Sequence, residues 1–133
     1  MVLAMFFMVV LTAIVGIITV RARILSVKNK EVRAKYYKLM EGQEVPEFIT
    51  KTGRNLNNQF EVPLLFYVAA VTHLVLQTNS QFALVCAWAF VISRFIHSYI
   101  HITYNHILHR MLTFFFGFFF VLLMWVNLAM FVL

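Results

Sequence analysis

The chain has 133 residues, room for one domain, yet 62% of them are hydrophobic and only 12% charged, against soluble averages of about 45–50% and 25%. A soluble fold of this size has too little interior for that much apolar surface, so lipid is the expected solvent for much of it. The formal charge of +6 does not point to nucleic acid, because no long basic run is interleaved with stacking aromatics.

The first predicted helix spans about 2–22, and Met1 to Val20 carries no ionisable side chain. It lacks a basic leader and a small-x-small cleavage site, so it reads as a retained membrane helix and not a signal peptide. A polar loop follows over about 23–53, with a short amphipathic surface helix expected over Glu31–Met40 and a break over Gly42–Pro46. The second helix is predicted over about 55–77, its early turns polar and its later part apolar. After the polar turn Gln77–Gln81, a third helix is expected over 82–104 and a fourth over 111–133. A bilayer demands that backbone groups pair within the spanning segment, and these runs lack the alternation of a barrel strand. The predicted fold is therefore an all-α, four-transmembrane-helix bundle forming a single domain. Within it, the lone Cys86 and His73 are expected to be packing residues. The run Phe114–Phe120 is expected to be lipid-facing or packing material.

Charge sets the predicted orientation. Nine of the eleven Lys/Arg and four of the five acids lie between Arg21 and Arg54. Four crossings put the third connection, with His106, His109 and Arg110, on the same side as that loop. By the positive-inside bias this side is cytoplasmic, and both termini face away from it. The absence of an organelle signal and the compact tails point to a multi-pass protein of a bacterial inner membrane.

Ionisable groups inside membrane helices are costly and mark function. On the second helix Arg54, Asn58 and Glu61 are spaced four and three apart and so share a face. Pro63 follows, removing a backbone donor, leaving the carbonyl of Gln59 free and favouring a bend. On the third helix Arg94, His97 and His101 likewise share one face, with Ser98 and Tyr104 near its edges. A buried guanidinium stays charged and needs an acceptor. Glu61 is the expected partner of Arg94. Arg54 and Arg110 also fit a second reading, as interfacial groups that snorkel to headgroups.

Three motifs in register, Arg54-x3-Asn58-x2-Glu61, Arg94-x2-His97-x3-His101 and Arg110 sixteen residues after Arg94, resemble the MAPEG family (membrane-associated proteins in eicosanoid and glutathione metabolism). The likeness extends to the hydropathy pattern and the long first loop. It implies a homotrimer that binds glutathione as co-substrate between neighbouring subunits at the cytoplasmic side. It further implies that Arg54, Asn58 and Glu61 hold the charged ends and backbone of the tripeptide. Arg21 would meet one of its carboxylates, Arg94 would organise the network, and His97 would support it. Arg110 would be the catalytic group that stabilises the thiolate. His101 stands at the family's tyrosine position, which leaves Tyr104 as the nearby hydroxyl. Pro63 lies two residues after Glu61, where mammalian members place it four after. Asn57 and Met111 also depart from residues found in some members.

The implied chemistry is physically sensible. A thiol with pKa near 8.5 needs a shift of about 1.5 units, roughly 2 kcal/mol, to be half ionised at pH 7. One guanidinium at about 4 Å supplies about 4 kcal/mol at an effective dielectric near 20. The implied activity is a transferase or peroxidase that turns the thiolate on a small lipophilic electrophile from the bilayer, such as an aryl halide, an unsaturated carbonyl or a lipid hydroperoxide. Two other readings stand beside it. One is a non-catalytic lipid- or ligand-binding protein on the same fold. The other is a metal or haem protein built on His97-x3-His101 and His106-x2-His109, whose spacings put imidazoles in pairs on one helical face.

Overall fold

The computed structural model describes residues 1–133 and is all-α. Its elements are α1 (Val2–Lys28), α2 (Tyr36–Leu39), α3 (Glu47–Asn57), a 3-10 helix (Asn58–Phe60), α4 (Val62–Val75), α5 (Gln81–Ile102) and α6 (Ile107–Val132). Three of these, α1, α5 and α6, are long and apolar enough to cross a membrane.

The continuous helix expected over 55–77 is instead two helices joined by a break. α3 is polar and leads through the 3-10 helix to α4, whose 14 residues rise only about 21 Å against a hydrocarbon core of about 30 Å. The cause is local. Pro63 has no N–H to give to the carbonyl of Gln59, so the α-helical ladder cannot run through this point. The helix restarts at Val62 with Pro63 in its first turn, where no intrahelical donor is required.

Other boundaries move as well. α1 continues to Lys28, six residues past its expected end, and carries Arg21 and Arg23 with it. α6 starts at Ile107, so Arg110 lies in its opening turns and not in the connection before it. The surface helix expected over Glu31–Met40 shrinks to the single turn of α2. Gln43 draws this segment together instead. Its Oε1 accepts from the backbone N–H and Nε of Arg33 at 3.0 and 3.2 Å, and its Nε2 donates to the carbonyl of Glu31 at 3.0 Å.

The core is a seam of small and aromatic side chains. Ala4, Met8, Leu11 and Val15 repeat at helical spacing along α1, facing Phe66, Ala69 and Ala70 of α4, Cys86, Ala87 and Phe90 of α5, and Val121, Met124 and Leu128 of α6. Phe66 stacks on Phe90 with centroids 4.7 Å apart. Cys86 is a packing residue, buried with its thiol free. His73 is buried too and fully satisfied. Its Nε2 donates to the carbonyl of Met124 at 3.3 Å, and its Nδ1 accepts from the Thr78 hydroxyl at 2.7 Å. This bond ties α4 to α6. The aromatic run on α6 divides by helical face: Phe115, Phe116 and Phe119 are exposed, whereas Phe114, Phe118 and Phe120 pack against the core.

α5 and α6 form the most extensive helix pair, and Gly117 is the reason they come so close. A Cβ built there collides with Ser93 Oγ and stands 3.5 Å from the Phe90 ring. Ser93 cannot turn away freely, because its hydroxyl donates to the carbonyl of Phe90 at 2.6 Å. Gly117→Ala should therefore destabilise the α5–α6 pair by about 1–3 kcal/mol, the usual cost of overpacking. Ser93→Ala in the same chain should recover part of the loss, as read from thermal unfolding midpoints in detergent.

Candidate functional site

The site grows out of the break before α4. Interrupting the helix leaves the carbonyl of Asn58 without its usual backbone donor four residues on. Arg94 of α5, one of the most buried side chains in the molecule, supplies one: its Nη2 donates to that oxygen at 3.0 Å. This corrects the expectation that Arg94 pairs with Glu61. The guanidinium also lies over the Phe114 ring, 5.9 Å from its centroid, within cation–π range. Its Nε and Nη1 have no protein partner.

A second buried contact holds the same junction from the other face. Gln59 Nε2 donates to Ser98 Oγ at 3.1 Å and to the carbonyl of Asn55 at 3.2 Å, and Ser98 Oγ donates to Asn55 Oδ1 at 3.1 Å. All three residues are buried. Lys51 Nζ adds an outer tie, donating to the carbonyl of Thr103 at the end of α5 at 2.9 Å. The polar end of α3 is thus clamped to α5 at several points along its length.

Between this clamp and the start of α6 lies a cavity of about 460 Å³, lined by Arg54, Asn57, Asn58, Glu61, His97, His101, Ile107, Arg110, Met111 and Phe114. Six of the nine residues singled out in the sequence meet here: Arg54, Asn58 and Glu61 from the chain before α4, His97 and His101 from α5, and Arg110 from α6. Three do not. Arg94 stands behind the lining. Arg21 is exposed on α1, away from the cavity wall. Tyr104 is exposed and bonded through its hydroxyl to His109 Nδ1 at 3.1 Å, so it does not replace the hydroxyl missing at His101.

The lining is amphoteric. Two guanidinium groups face one carboxylate, leaving it net positive while the histidines are neutral, and Arg54 and Glu61 are exposed at its rim. His97 Nδ1 bonds the carbonyl of Arg110 at 3.0 Å. A carbonyl only accepts, so Nδ1 carries the proton, and in the neutral ring Nε2 is left as an acceptor. Neither His97 Nε2 nor His101 Nδ1 has a protein partner. His97 and His101 therefore present unsatisfied ring nitrogens beside the cavity, with centroids 5.8 Å apart. No group of three or more His, Cys, Asp or Glu converges in the structure. Such a lining can hold an anion that also bears an ammonium group, with amide contacts between them.

Sequence reasoning did not single out Phe114, Ile107 or the buried Asn55 and Gln59. The i, i+4 spacing of Asn55 and Gln59 placed them together on a face next to the Arg54–Asn58–Glu61 stripe, which was the one available signal. Phe114 falls four residues after Arg110 and thus on the same face of α6.

The model of the MAPEG family matches residues 1–130. No curated protein and no solved structure gives a significant match.

Ser98→Ala removes one hydroxyl of almost unchanged volume and leaves Gln59 Nε2 and Asn55 Oδ1 each short of a buried partner. The expected loss of stability is about 1–3 kcal/mol, measured as a lowered unfolding midpoint in detergent. An unchanged midpoint would show that the junction does not depend on this contact.

Proposed function

The chain belongs to the MAPEG family, and from that membership and the cavity between α3, α5 and α6 we propose that it is a membrane-bound, glutathione-dependent transferase or peroxidase. One observation carries the reading: Arg54 and Arg110, far apart in sequence, line one cavity with Asn58, Glu61, His97 and His101. Glutathione offers two carboxylates, one ammonium, two amides and a thiol. In the proposed arrangement Arg54 takes a carboxylate, Glu61 the ammonium, Asn58 the amides, and Arg110 the sulfur. His97 Nε2 and His101 give further polar contacts. Arg94 acts from behind by fixing the Asn58 segment.

The rim of the cavity at Arg54, Asn57 and Glu61 is open on this chain, and we place a neighbouring subunit of a homotrimer over it. Arg21, outside this chain's cavity, reaches a glutathione carboxylate as part of that neighbour. α4, extended by the 3-10 helix, makes the fourth crossing. The basic first loop puts the site on the cytoplasmic side and both termini on the other, in a bacterial inner membrane.

The chemistry is ionisation followed by attack. The thiol proton passes to water, and the thiolate is held by the guanidinium of Arg110. The sulfur then forms a bond to carbon of a lipophilic electrophile that arrives from the bilayer, either displacing halide or adding to an unsaturated carbonyl whose enolate takes a proton from water. With a lipid hydroperoxide, sulfur takes the terminal oxygen as the O–O bond breaks, the lipid alkoxide leaves and takes a proton to become the alcohol, and a second glutathione displaces water from the sulfenic acid to close the disulfide.

Ultraviolet absorbance on adding glutathione tests this. Wild type should develop a thiolate band at neutral pH. Arg110→Ala should lose it, because half-ionisation requires about 1.5 pKa units, roughly 2 kcal/mol, and the main source of that energy is gone. Glutathione that binds to wild type without a thiolate band would favour the non-catalytic binding protein. Absence of binding would end the reading.

A further inference from the structure

We propose that Asn105 is a positioning residue that holds the guanidinium of Arg110 at the cavity. The consequence for a bound thiol rests on the reading above; the hold itself rests on the turn between α5 and α6.

Arg110 is a cation in the opening turns of a 26-residue helix, at the positive end of the helix dipole, where cations are disfavoured. Its orientation therefore needs an acceptor, and Asn105 provides it: Arg110 Nη1 donates to Asn105 Oδ1 at 2.7 Å. The main chain of Arg110 is fixed separately by His97 Nδ1 on its carbonyl at 3.0 Å. Backbone and side chain of this one arginine are thus tied to two different places.

Asn105 is itself firmly placed. Its backbone N–H bonds the carbonyl of Ile100 at 2.8 Å, and the N–H of Thr103 bonds that of Tyr99 at 3.0 Å, closing the end of α5. Lys51 of α3 caps the carbonyl of Thr103. The turn has a positive φ of 50° at Asn105, a conformation that Gly, Asn and Asp adopt more readily than most residues. Gly has no side-chain acceptor. Asp brings one, but with a negative charge against the guanidinium that would cancel its pull on an anion. Asparagine suits the backbone conformation, accepts the bond and leaves the positive charge of Arg110 uncompensated for a ligand.

The test compares Asn105→Gly and Asn105→Asp with wild type and Arg110→Ala. All are purified in detergent, and the ionisation of bound glutathione is titrated by thiolate absorbance. Asn105→Gly keeps the turn and frees the guanidinium, so the thiol pKa should rise by about one unit, a tenfold smaller thiolate-to-thiol ratio. Asn105→Asp keeps turn and hydrogen bond with near-identical shape, so it should fold normally yet lose the thiolate almost as fully as Arg110→Ala. A merely structural role for Asn105 would not single out the charged isostere. The assignment is overturned if either variant ionises the thiol as wild type does while Arg110→Ala does not. A wild-type protein without thiolate sinks the thiol reading, and the hold is then decided by 15N NMR of the arginine guanidinium. Distinct, restricted Nη signals of Arg110 in wild type that average together in Asn105→Gly support it. Averaged signals in both overturn it.

Discussion

The donation from Arg94 to the carbonyl of Asn58 is the contact on which the site depends. A broken helix in an apolar setting exposes backbone oxygens that have no water to turn to, and each unsatisfied one costs several kcal/mol. The chain meets that cost with a guanidinium from the neighbouring helix. Having made the bond at 3.0 Å, Arg94 sets how close α5 comes to the break and which way Asn58 and Glu61 face. A carboxylate partner would have neutralised Arg94 and consumed Glu61. Using a carbonyl instead leaves Glu61 at the cavity for other work.

Around that contact the polar groups divide into two populations. Asn55, Gln59 and Ser98 bond one another and lie outside the cavity lining. Arg54, Asn58, Glu61, His97, His101 and Arg110 line open space, and two of their ring nitrogens have no protein partner. The first population ties the junction to α5, since hydrogen bonds are electrostatically stronger in a low-dielectric interior. The second then gains from rigidity, because charged groups held in place lose less freedom when a ligand arrives. Close packing elsewhere serves the same end: Gly117 lets α6 press against Ser93, which fixes the helix that carries Arg110.

Much of this was legible in the residues. An apolar, charge-depleted composition demanded membrane helices, and the 3.6-residue period put Arg54, Asn58 and Glu61 on one face and His97 and His101 on another. Legibility failed where a residue's partner came from a distant part of the chain. Sequence alone makes Glu61 the natural partner of Arg94, because opposite charges attract and both fall near the same level of the bundle. Nothing local could say that the break would free a carbonyl nearer still. The spacing of Tyr104 puts its hydroxyl near the edge of the polar face, yet helix α5 ends at Ile102, and past that point spacing no longer predicts direction.

The sequence by itself determined the solvent of this protein, its helical class, the membership of its residues in polar stripes and the kink at Pro63, because burial of apolar surface and backbone hydrogen bonding are local demands. The tertiary structure alone decided which stripes meet, that Arg94 stands behind the cavity and not in it, and that Asn105 faces Arg110. Those outcomes turn on interhelical distances of a few ångströms. Such distances are set by side chains as small as Gly117 and Ser93, whose effect appears only when two helices far apart in the chain are pressed together.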